Sequence, residues 1–252
     1  MITITIGQRK GGNGKSTSAL NLAHAFAMSG KRVLLIDLDD QKNSTSAIEA
    51  AAPIHTVEDL LLRPGVDVAA VAVPTSWDGV SLIAASSSLS GAIRELDGEV
   101  GSHLALKEKL AVINGFDICL IDTSPSLNIL VVNALCASRY LFIPLSSKYF
   151  SLQGLGQTLE ACAKVKSRLN PELSILALAF VIHDNRSSLA REVVEKARNE
   201  YPELVCAATV GQNIRIEEAQ VKRQSIFTYA AEDRGSAQYR ALADELLARI
   251  EG

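Results

Sequence analysis

Eight consecutive residues, Lys10-Gly11-Gly12-Asn13-Gly14-Lys15-Ser16-Thr17, bring together two lysines, three glycines and two hydroxyl side chains. That combination suits a polyphosphate. A triphosphate carries several negative charges and must meet backbone N–H groups with no side chain in the way, which glycine permits. A helix starting at the same point adds its partial positive charge. Lys15 is then placed to reach the β- and γ-phosphates, and the Ser16 hydroxyl to ligate a Mg2+ ion. The usual pattern G-x-x-x-x-G-K-[ST] misses by one residue, because its first glycine falls on Arg9. A second lysine, Lys10, instead stands directly before the paired glycines.

Two apolar runs end in acid. Val33-Leu34-Leu35-Ile36 runs into Asp37-Leu38-Asp39-Asp40, and Ile118-Cys119-Leu120-Ile121 runs into Asp122-Thr123-Ser124-Pro125. In a parallel sheet, ligands sit at the carboxyl ends of the strands, so such acids face a bound phosphate. Asp37 and Asp39 are two positions apart, which puts both on one face of an extended chain. Asp122 has the form of a Walker B carboxylate, holding a water of the Mg2+ shell.

The elements that must position these groups alternate along the chain. Strands are expected at 2–6, 33–36, 80–84, 118–121, 140–143 and 174–182. Helices are expected at about 16–29, 56–62, 103–113, 127–137, 151–169, 187–200 and 236–250. Central strands apolar on both faces, separated by helices, predict an α/β three-layer P-loop NTPase fold: a mainly parallel sheet with helices on both faces. The prolines and serines of 52–98 predict loops around one short helix and one strand. With no repeat or long linker, residues 1–252 are read as a single domain.

Composition excludes several classes. A 48% hydrophobic content rules out a disordered chain, and 28 acids against 25 bases mean that nucleic-acid binding must come from a local patch. Cys119, Cys136, Cys162 and Cys206 show no C-x-x-C pair and read as reduced core residues of a cytoplasmic protein. No apolar run reaches the ~18 residues of a membrane span, and the N-terminus lacks a charged signal region. The four histidines have no metal-ligand spacing.

The two-lysine loop resembles that of the ParA/MinD group of deviant Walker ATPases, and within it the ParA/Soj partition ATPases. The likeness continues through Ser126-Leu127, Asn133-Ala134-Leu135 and Lys148-Tyr149-Phe150-Ser151-Leu152-Gln153-Gly154-Leu155, and is weakest at 52–100. It implies ATP and Mg2+ as ligands and an ATP-dependent homodimer in which Lys10 reaches the partner's nucleotide. It implies that Asp39 orients the attacking water and that Asp37 lies near the Mg2+ shell. Slow basal hydrolysis, stimulated by a ParB-like or cargo-adaptor protein, follows from the same resemblance, as does a nucleoid-associated location. Arg186 and Arg215 match family positions that bind double-stranded DNA without sequence preference, and Lys222 and Arg223 lie near enough to extend the strip. Asn213 falls in a segment that lies by the adenine base in the family. This chain departs from the family there, with Val210-Gly211-Gln212-Asn213 for Ile-Pro-Arg-Asn and Glu218-Ala219-Gln220 for Glu-Ala-Pro. Asp40 replaces a common proline.

Other readings of the same fold remain open at this stage. A MinD-like membrane-associated regulator would carry a basic amphipathic C-terminal helix, whereas Tyr239–Ile250 mixes Arg240 and Arg249 with Asp244 and Glu245, and no stable membrane association is expected. An iron–sulfur relative would need exposed bridging cysteines. A cofactor-biosynthesis amide synthase would need a second substrate site. The resemblance implies a plasmid, a chromosome or a protein assembly as the cargo.

Overall fold

The structure, a computed structural model, describes residues 1–184 and 187–252. Among these, seven strands form one sheet: β1 Ile2–Ile6, β2 Val33–Leu38, β3 Val73–Pro74, β4 Val80–Ile83, β5 Ile118–Thr123, β6 Tyr140–Ser146 and β7 Ser174–Ile182. Their order is β3-β4-β2-β5-β1-β6-β7, parallel throughout except for β3, which runs antiparallel to β4. The expected fold class is the observed one.

Alternation within the strands builds two cores. Leu34 and Ile36 of β2 and Cys119 and Ile121 of β5 point to one face, where Leu89, Ala92, Leu106 and Leu130 pack on them. Val33, Leu35, Ile118 and Leu120 point to the other, against Leu22, Phe26, Leu242 and Leu246 of the helices Lys15–Met28 and Arg234–Glu251. A central parallel strand is covered on both sides, so β2 and β5 are apolar on both faces up to Asp37 and Asp122.

The sheet edges are short or covered. At one end β3 has two residues, one of them Pro74, which has no N–H to offer a further strand. At the other, β7 takes an isolated parallel bridge from Val205 to Leu178, and His183, just past its end, takes one from Gly211.

Several elements were not expected. The helix Leu89–Asp97 occupies the serine-rich stretch assigned to loops, and buries Leu89, Ala92 and Leu96. Short helices form at Asn43–Ser46, Val68–Val71 and Ile226–Tyr229, and a longer one at Ile214–Val221. All four cysteines are buried and free, as core residues should be. Among the described residues, no helix is long and apolar enough to cross a membrane.

Candidate nucleotide site

The loop between β1 and the helix Lys15–Met28 sits at the carboxyl edge of the sheet, as a phosphate site requires. Gly12 and Gly14 take φ of 74° and 75°, a left-handed conformation that side chains resist. At Gly14 a Cβ would also come within 2.9 Å of Val181 Cγ2, so this position has both reasons to be glycine. The loop is anchored by its own side chains. Asn13 Oδ1 accepts from the Ser146 hydroxyl at 3.0 Å. Thr158 Oγ1 accepts from the Arg9 amide at 3.1 Å and lies 2.7 Å from Gln8 Oε1. Gly154 permits that close approach, since a Cβ there would meet Lys10 Cβ at 3.2 Å.

Strand register brings the acids together. Asp37 pairs with Asp122 across β2 and β5, and Ile6 with Asp122 across β1 and β5. Residues paired in register share a face, so the two carboxylates stand side by side, wholly buried. Burial pushes Asp122 up to about 7, with the Asp37 charge adding to it, and pushes Asp37 up to about 6 against three opposing hydrogen bonds. Burial likewise raises Asp39, opposed first by the Gln41 amide. Lys15, 7% exposed, is pulled down by desolvation while the charges of Asp122 and Asp39 act to raise it. The buried Lys15 therefore faces two buried acids, Asp122 and Asp39, with Asp37 beside Asp122.

Each acid holds a different task. Asp37 Oδ2 accepts from the Thr45 amide at 2.8 Å and the Thr45 hydroxyl at 2.7 Å, and its Oδ1 accepts from the Asp39 amide at 3.0 Å. It pins the loop 39–45. Asp39 Oδ1 accepts from the Gln41 amide at 3.0 Å, and Asp39 lines the cleft. Asp122 Oδ2 accepts from the Ser44 hydroxyl at 2.7 Å, while its Oδ1 is buried with no hydrogen-bond partner.

That orphaned oxygen fits a divalent cation. The Ser16 side chain stands beside the same carboxylate and favours its charged form. Among the described residues no cluster of three or more His, Cys, Asp or Glu forms a protein-only cage. A Mg2+ ion suits this, since it takes one or two protein oxygens and completes its shell with waters and phosphates.

The same electrostatics predict a stability effect in the nucleotide-free protein. An acid whose folded pKa lies above its unfolded value costs stability as pH rises between the two. Asp122→Asn removes that cost, so the variant should melt about 5 °C above wild type at pH 8, and the gap should narrow as pH falls to 5. Lys15, Asp37 and Asp39 are unchanged in the comparison. Equal melting temperatures at pH 8 would show that Asp122 carries no such burden.

In front of these groups lies a cleft of about 500 Å³ lined by the loop, by Asp39, Gln41, Asn43 and Pro125, and by Gln220 and Val221. Gln220 was not singled out as a binding residue from the sequence. Its Nε2 donates to Thr17 Oγ1 at 2.9 Å. Asn213, expected beside the base, is not among the lining residues. Its Oδ1 caps the helix Ile214–Val221 by accepting from the Arg215 amide at 2.9 Å, and its Nδ2 donates to Asp233.

The expected DNA residues divide. Arg186 lies outside the described residues. Arg215 is exposed and paired with Glu218 at 2.9 Å. Lys222, seven positions on, shares its side of the helix, and Arg223 follows, both exposed.

Comparison with known proteins bears on the family of the chain. A family model described as an AAA domain matches residues 1–175. The chromosome-partitioning ATPase Soj of Treponema pallidum is 38% identical over 248 residues, 98% of this chain and 97% of that protein. That of Thermus thermophilus is 36% identical over 98% of this chain and 96% of its own length. The structure of cobyrinic acid a,c-diamide synthase from Mycobacterium smegmatis with bound ATP analog and magnesium is also similar. It has a TM-score of 0.86 and 30% identity, over 100% of this chain and 96% of that one. Likeness over the whole length of partition ATPases, with the two-lysine loop and the register of its acids in place, shows that the chain belongs to the ParA/Soj-type partition ATPases.

Proposed function

We propose that this protein is an ATP-driven dimer switch that holds nonspecific double-stranded DNA in its ATP state and so positions or segregates a cargo. The observation that carries the reading is the buried cation Lys15, set within reach of the charges of Asp122 and Asp39 at an open cleft. A desolvated ammonium beside buried carboxylates suits a phosphate chain that arrives with its own divalent cation.

In this reading Lys15 and the amides of Gly11 to Ser16 bind the phosphates, while Ser16 and Asp122 would hold Mg2+. That ion supplies charge neutralisation on the phosphate oxygens. Asp39 has one oxygen held by Gln41, which fixes the carboxylate while leaving lone pairs to accept from the attacking water. Asp37 keeps the loop that carries Asp39 in place. Lys10 comes from the second subunit, so the site is complete only in the dimer, and basal hydrolysis is slow until a ParB-like or cargo-adaptor protein orders it. The apolar face of the C-terminal helix is buried, with Tyr239, Leu242 and Leu246 in the core, which supports a nucleoid-associated cytoplasmic protein over a membrane-docked one.

The test is DNA binding with Mg-ATP, with Mg-ADP and with neither, beside light scattering for mass. Dimer mass and DNA binding should appear together and only with ATP. An ATP-dependent dimer that ignores DNA would end the nucleoid reading and direct attention to liposomes, then to a metabolic substrate.

A further inference from the structure

Among the described residues, the cleft receives two contributions from beyond residue 125, Gln220 and Val221. Both end the helix Ile214–Val221, whose first turn carries Arg215 and whose end runs into Lys222 and Arg223. Gln220 touches both sides of this junction. Its side chain donates to Thr17 Oγ1 at 2.9 Å, next to Ser16 in the phosphate loop. Its main-chain carbonyl accepts from the Arg223 amide at 3.0 Å.

That second bond belongs to a tight turn. Ala219 O also accepts from the amides of Lys222 at 3.0 Å and Gln224 at 2.9 Å. Together these bonds hold Arg223 at φ 56°. A residue with a Cβ adopts this conformation at a cost of ~1 kcal/mol, so the surrounding bonds must over-determine it. The turn is then tied back to the helix that starts in the phosphate loop. The Ile226 amide donates to Asn21 Oδ1 at 2.9 Å, and Ser225 Oγ lies 2.5 Å from His24 Nδ1.

The Thr17 hydroxyl has one hydrogen and two lone pairs. With Gln220 donating to one lone pair, the hydrogen is left to point elsewhere, and the cleft is where a phosphate oxygen would accept it. A hydroxyl that donates to a charged oxygen becomes a better acceptor, so phosphate binding strengthens the Gln220 bond.

We infer that Gln220 is a positioning residue coupling occupancy of the phosphate site to the placement of the basic turn Lys222–Arg223. The inference rests on the reading of the cleft as a nucleotide site and of the turn as part of a DNA surface. Because Thr17 stands at the helix start and not in the loop 39–45 that Asp37 pins, the coupling reports bound nucleotide of either kind. Dimerisation, and not this contact, distinguishes ATP from ADP.

Hydrogen exchange on the full-length protein tests it. Mg-ADP and Mg-ATP should each slow exchange of the amides 221–226 about fivefold in wild type. Gln220→Ala should lose that response while residues 39–47 remain protected, which shows that nucleotide is bound and the chain folded. Thr17→Ser, which keeps the hydroxyl, should retain the response. Equal protection of 221–226 in wild type and Gln220→Ala, or none in wild type, overturns the inference. With ATP, Gln220→Ala should also bind DNA about 3- to 10-fold more weakly than wild type, the loss expected for one hydrogen bond. If wild type binds no DNA, the functional reading fails, and the exchange comparison still decides the role of Gln220.

Discussion

Nucleotide affinity should fall by ~10²-fold or more in Lys15→Ala, measured by calorimetric titration with Mg-ADP and Mg-ATP. Lys15 is the buried cation of the site, with its charge already desolvated by burial. An ammonium freed from water meets phosphate at full strength, and a charge-assisted hydrogen bond contributes ~1.5–3 kcal/mol where a neutral one contributes about half that. Each 1.4 kcal/mol is a factor of ten, so loss of two such bonds accounts for the expected drop. The fold should survive, because alanine is a good first-turn residue and the acids beside it are already pushed toward neutrality. Affinity within threefold of wild type, in a variant that melts normally, would remove Lys15 from the phosphate site.

Asp39→Ala should give the opposite phenotype: nucleotide bound, turnover lost. Positioned acid–base groups contribute about 10²–10⁴ in rate, so hydrolysis should drop by at least ~10²-fold. Binding should persist, since Asp39 raises the Lys15 pKa only as a secondary influence and its removal lifts a desolvated charge from the cleft. The ATP-bound dimer would then accumulate and stay on DNA. Light scattering with Mg-ATP, followed over a time in which wild type returns to monomer, reads this directly. A variant that remains monomeric with ATP would assign Asp39 to assembly and not to the water.

The parts of this site that were legible in the chain are those written locally. The loop declares itself because glycines, lysines and hydroxyls must be consecutive to wrap one phosphate group. Asp37 and Asp122 declare themselves because each ends a strand apolar on both faces, and sheet register then does the rest. Gln220 was different. It lies 203 positions from Thr17, and the sequence showed only that a family proline was absent there. The partners of the acids, Ser44 and Thr45, were hidden for a similar reason: they sit in a four-residue helix with no apolar periodicity to announce it. The helix Leu89–Asp97 was missed although Leu89, Ala92, Ile93 and Leu96 have helical spacing. Ser86 to Ser88 and Gly91 outweighed it, and in the fold two of those serines bond Glu58 and so support the helix start.

The two borders of the sheet bear on how copies of this chain can meet. A bare strand is a template for any other chain, and proteins that must associate reversibly cannot leave one open. Here the two-residue β3 with Pro74 offers little to pair with, and β7 is bridged at Leu178 and, just past its end, at His183. Strand-to-strand growth into fibres is thereby suppressed at both ends. In the dimer proposed above, self-association would then be left to surfaces that a nucleotide completes, and such an oligomer can be taken apart again.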